Sequence, residues 1–143
     1  MNMSENSALK AKKAARIIIS FQEGLYGFED VKDYILLQED EAKTIWSLQA
    51  AYSDVPSFVV INPFMVLKDY SPILSHKDLK SLGMPNEEEI CFLAVTVLKE
   101  KIEESVANLK SPIVINVRTR QAKQIILENN NYPIRCKLFP NLK

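Results

Sequence analysis

A chain of 143 residues fits one domain, large enough to bury most of its apolar groups without disulfides or a structural metal. With 47% hydrophobic and 25% charged residues it has an ordinary globular composition, and 18 basic side chains against 18 acidic ones leave no net field to attract nucleic acid or an anionic membrane surface. Cys91 and Cys136 lack short-range partners and His76 is the one histidine, so a four-ligand zinc site is excluded and a reducing cytoplasm is the simplest compartment.

In chain order, residues 1–11 read as a flexible N-terminal segment and 12–143 as a single domain. Lys10, Lys12, Lys13 and Arg16 precede an apolar run that stops at Ser20, too short for a signal-peptide core. In "ARIIISFQ", Ile17, Ile19 and Phe21 share one face while Arg16, Ser20 and Gln22 share the other, which predicts a half-buried strand. "GLYGFED" then predicts a tight bend with Tyr26 partly exposed, Phe28 anchored in the core, and Glu29 and Asp30 opening an acidic surface. Further strands are predicted at "YILLQ", "IWSLQ" and "FVVIN". Ser75 before "HKDLKSLG", with Asp78 three residues on and Gly83 at the end, predicts a short capped helix. Ile90 to Leu98 is apolar on both parities except at Thr96, so this strand should be covered on both sides, with Cys91 as core filler. "EKIEESVANL" offers one more helical turn with Ile102 and Val106 four apart, before "PIVINV" and "KQIILE" form a hairpin around "RTRQAK". In that hairpin Pro112 suits a strand's first position, and Asn116 falls on the polar parity with Val114 and Arg118. About seven short strands with one or two short helices predict an all-β, small single-domain, β-barrel-like fold.

Chemistry-bearing constellations are sparse. Neither the dinucleotide-binding fingerprint nor the P-loop can be written with Gly24, Gly27 and Gly83 as the only glycines. Neighbouring acids such as Glu87, Glu88 and Glu89 point to opposite faces of a strand and cannot share a substrate. Charge is nonetheless uneven: acids dominate residues 25–54 and 86–109, bases 110–143. Arg118, Arg120 and Lys123 form either a solubilising hairpin tip or a contact to RNA backbone, although no aromatic residues alternate with them as a stacking platform. A direct RNA-binding module and an enzyme built around His76 or a carboxylate of shifted pKa are the competing classes.

The strings "GLYGFEDVKDYILL", "LQAAYSDVPSFVVINPF", "KDYSP" and "NLKSPIVINVRTRQAKQIIL", in this order and spacing, resemble the flagellar assembly factor FliW family over roughly residues 20–135. Departures are Tyr26 where the family usually has Pro, Ala50 where it commonly has Ser, and Ala122 where it commonly has Gly. The last puts a strained turn at Ala122 into question, since Ala resists the positive backbone angle Gly accepts.

The resemblance implies a monomeric, non-enzymatic cytoplasmic adaptor without cofactors, binding flagellin and the translational repressor CsrA in a mutually exclusive switch. A basic RNA-binding partner suits an acidic patch at Glu29 and Asp30 or at Glu87, Glu88 and Glu89. Flagellin suits an apolar groove walled by Phe64, Met65 and Leu67, unless these are core. Asp69 and Tyr70 suit either a protein interface or a pinned loop, and Asn108 and Asn116 either partner recognition or internal hydrogen bonding.

Overall fold

A computed structural model describes residues 16–140. The expected flexible segment at residues 1–11, and the domain start at residue 12, lie outside them. Strands β1 (Arg16–Phe21), β2 (Asp33–Gln38), β3 (Ile45–Ala50) and β4 (Ser57–Ile61) form an antiparallel meander. An excursion carrying α1 (His76–Ser81) leads to β5 (Ile90–Val97), which pairs with β4 on one side and β7 (Ile113–Asn116) on the other. The β7–β8 hairpin brings β8 (Gln121–Gln124) back alongside β1, in parallel, through Ser20↔Gln121 and Phe21↔Ala122. Seven strands thus close a barrel, and β6 (Val106–Ala107) and β9 (Cys136–Lys137) extend from β5 outside it. The fold is the all-β, barrel-like one that the strand pattern predicts.

Alternation decides which side chains fill the barrel. Ile17↔Leu36, Leu36↔Leu48 and Trp46↔Val60 are register partners, so same-parity apolar residues meet across the strands. The fully enclosed part of this core includes Phe21, Tyr34, Leu48, Val60 and Leu93, with the Phe21 ring edge-on to Tyr34 at 5.3 Å. The outward parity of β5 and β7 is buried as well. Ala94 and Val114 meet Leu82, Leu109, Ile125 and Leu127 in a second core, lying under the connections on either side of β5. The two-sided apolarity therefore has the predicted cause over Ile90 to Val95, and the exception, Thr96, donates its hydroxyl to Val59 O at 2.8 Å. Val97 and Leu98, at and past the strand's end, are 51% and 54% exposed and depart from the expected cover.

Local signals fare unevenly. Ser75 accepts a bond from the Asp78 amide at 3.1 Å, and Gly83 follows α1 at φ +81°, as the capping pattern requires. The "GLYGFED" bend is tight, closed by Phe28 N–H donating to Leu25 O at 2.8 Å. Leu25 rather than Phe28 enters the core; Phe28, facing it across the turn, is 42% exposed and covers Phe58 edge-on at 5.3 Å. "EKIEESVANL" winds only a 3-10 turn at Ile102–Glu104, because Val106 pairs with Val97 in β6 instead of continuing a helical face. β8 begins and ends earlier than "KQIILE"; beyond it Ile125 N–H and Leu127 N–H bond to Pro112 O and Lys110 O, burying Ile125 and Leu127 and leaving Ile126 outside. The left-handed residue of the last hairpin is Arg120 at φ 65°, while Ala122 lies buried within β8. Among the described residues no helix is long and apolar enough to cross a membrane.

Candidate partner-binding site

The sequence "INPF" builds one wall of an open groove. Asn62 Oδ1 accepts from the Phe64 amide at 3.0 Å and Pro63 presets the first turn of a 3-10 helix, so the Phe64 backbone is held at its end of β4. The Phe64 ring stands edge-on to Tyr70 at 5.6 Å and to Phe92 at 6.1 Å. Phe92 and Ile90, on the outer face of β5, form the floor; Ile73 and Leu79 close the far side, and Glu87 is the one charged side chain in the lining. The groove encloses about 480 Å³. Ile73 is 63% exposed and Phe64 40%, an apolar surface that a folded monomer gains nothing by presenting to water.

Three of the residues singled out from the sequence, Phe64, Tyr70 and Glu87, thus line one groove. Tyr70 serves it from behind: it is buried, its hydroxyl donates to Leu109 O at 2.8 Å, and its ring packs on Tyr132 at 4.7 Å. Burial, with Tyr132 beside it, pushes the Tyr70 phenol far above its ordinary range, so it stays a neutral donor. Tyr70 pins the loop, with Asp69 exposed next to it. Met65 is exposed beyond the groove, and Leu67 packs into the second core instead of walling the groove.

The acids divide similarly. Glu87 and Glu88 are exposed and form no ion pair among the described residues. Glu89 caps its own turn by accepting from the Asn86 amide at 2.9 Å, and pairs with Arg118 Nε at 2.9 Å; these contacts hold its carboxyl below the usual glutamate range. Glu29 folds back onto the Gly27 amide at 2.9 Å, which lowers its pKa, and Asp30 is exposed beside it. Both asparagines make internal hydrogen bonds. Asn108 Oδ1 accepts from the Lys110 and Ser111 amides. Asn116, expected on a polar face, is 0% exposed: it donates to Leu82 O at 2.8 Å and accepts from the Arg118 amide at 3.0 Å. Burial on both sides of β7 makes parity uninformative there.

Two of the three hairpin-tip cations are in ion pairs, Arg118 with Glu89 and Lys123 with Asp78 at 3.0 Å, and Arg120 forms none among the described residues. His76 lies exposed at the start of α1, and among the described residues no group of three or more His, Cys, Asp or Glu is arranged to hold a metal. The sequence reading missed Ile73, Leu79 and Phe92. An available signal was "SPILSH", where Ile73 and Leu74 are apolar in a Pro-marked segment without strand alternation.

A family model described as FliW protein matches residues 3–138. The flagellar assembly factor FliW of Caldicellulosiruptor saccharolyticus is 34% identical over 125 residues, covering 87% of this chain and 82% of that one. The protein of the same name from Thermotoga neapolitana is 38% identical over 128 residues, covering 88% and 85%. A crystal structure of the flagellar assembly factor FliW matches the backbone with a TM-score of 0.79 at 31% identity, over 87% of this chain and 86% of that one. Alike in sequence, length and backbone, the chain belongs to the FliW family.

Proposed function

We propose that this protein is a cytoplasmic, monomeric flagellar assembly factor that binds flagellin and the translational repressor CsrA, one at the expense of the other. Flagellin bound here releases CsrA to repress flagellin translation, and export of flagellin returns this protein to CsrA. Membership of a family whose relatives are named flagellar assembly factors supports the first part. The observation that carries the second is the position of Glu87, which belongs both to the wall of the apolar groove and to the exposed acidic run. An amphipathic flagellin segment would bury its apolar face against Phe64, Ile73 and Phe92. A basic partner would approach Glu87 and Glu88, with Glu29 and Asp30 as a second acidic site. Shared use of Glu87 makes the two occupancies exclusive.

The test is titration of the purified protein with flagellin, with CsrA, and with both. Flagellin should displace CsrA. The folded double variant Phe64→Ala, Ile73→Ser should lose flagellin affinity by roughly tenfold or more, as expected from two truncated apolar anchors. Glu87→Lys with Glu88→Lys should weaken CsrA and flatten its salt dependence. Binding of neither protein, or simultaneous binding of both, would contradict this reading.

A further inference from the structure

The barrel presents a second concavity on its inner side. At the end where β1 begins, the inward-facing Ile17, Trp46, Cys91 and Val117 surround a cavity of about 300 Å³ that reaches Leu36. Register places them together: Ile17 is opposite Leu36, Trp46 opposite Val60, and Cys91 opposite Ile115, one residue from the start of the β7–β8 turn. Ile17, Trp46 and Cys91 are half-buried, whereas the layer beneath them, Ile19, Leu48 and Leu93, is sealed. The volume is that of a small-ligand pocket.

The lining is apolar apart from Arg120 at the rim, which makes no ion pair among the described residues. Its backbone is fixed on both sides, Arg120 N–H donating to Asn116 O at 2.7 Å and Arg120 O accepting from the Ser20 amide at 3.0 Å. The guanidinium thus starts from a rigid left-handed residue at the edge of an apolar hole, not from a mobile loop. Burial pushes the Cys91 thiol up, so it adds no negative charge to compete for Arg120.

We propose that this barrel mouth binds an amphipathic monocarboxylate, its alkyl chain against Trp46 and Leu36 and its carboxylate on the Arg120 guanidinium. A single cation suits one negative charge, and the apolar walls offer nothing to a polar body. The cavity opens from the inner face of β5 and the Phe64 groove from its outer face, so occupancy of one leaves the lining of the other untouched.

Trp46 is the only tryptophan in the chain, which makes its emission a direct report on the mouth. The 143-residue protein is titrated with hexanoate, octanoate and decanoate below their micelle-forming concentrations. A saturable change in emission is expected, tightening about fourfold per added methylene. Decanol should bind about tenfold more weakly than decanoate, and decyltrimethylammonium more weakly still. Arg120→Gln should bring decanoate down to the affinity of decanol, while Arg120→Lys, which faces the same backbone strain, should retain most of it. No saturable change, equal binding of decanoate and decanol, or identical behaviour of the two Arg120 variants would overturn the proposal.

Discussion

Tyr34 carries a defect that the barrel tolerates. Its ring is fully enclosed, yet its hydroxyl has no hydrogen-bond partner among the described residues, and burial raises its pKa. An unsatisfied buried hydroxyl costs folding free energy that a matching apolar ring does not. Tyr34→Phe should therefore stabilise the protein by about 1 kcal/mol in chemical denaturation; a loss of stability would show that the hydroxyl is in fact engaged. Glu89 behaves in the opposite sense. Its carboxylate is favoured first by the Asn86 amide and then by Arg118, so its folded pKa lies below the ordinary 4.5. The resulting stabilisation is present above 4.5 and is lost as pH falls through the depressed folded value. In a side-chain NMR titration, Arg118→Gln should move the Glu89 midpoint upward but still leave it below the ordinary value, because the amide contact persists. A midpoint unmoved by the substitution would assign the whole effect to the turn.

At the level of elements, the β1–β2 connection shows two glycines with unequal reasons for being glycine. Gly24, at φ +69°, faces the Glu29 backbone so closely that a Cβ would sit 2.7 Å from its Cα and carbonyl oxygen. Gly27, at φ +86°, has open space around the same position. Gly27→Ala should thus cost only the backbone strain, about 1 kcal/mol, and Gly24→Ala about 3 kcal/mol or more, since the bend itself must open. Equal losses in thermal or denaturant unfolding would mean that the loop yields freely. This connection was largely legible in the sequence as a sharp bend, because glycine placement and acid placement speak directly to local torsions. The choice between Leu25 and Phe28 as the buried residue was not, because it depends on which of two facing side chains meets the barrel's end.

For the whole molecule, the same division explains what could be read. The shared inner face of Ile17, Ile19 and Phe21 in β1 and the two-sided apolarity of β5 up to Val95 are properties of one strand and its faces, and both are kept in the fold. Asn116 is polar by type and buried by position, since it tethers α1's last turn through Leu82 O, a partner 34 residues away that no local pattern announces. The groove is of the same kind. Phe64 and Phe92 are 28 positions apart and become neighbours only when β4 and β5 pair, so the sequence suggested one wall and missed the floor.

The parallel union of β1 with β8 sets the timetable of synthesis. A nascent chain can assemble the first four strands as soon as they leave the ribosome, but the free side of β1 finds its match only after Gln121 and Ala122 have emerged. Until then a strand rich in isoleucine stands uncapped. A product cut short before β8 would keep that adhesive margin permanently, so premature termination should yield insoluble chains, not a smaller working domain.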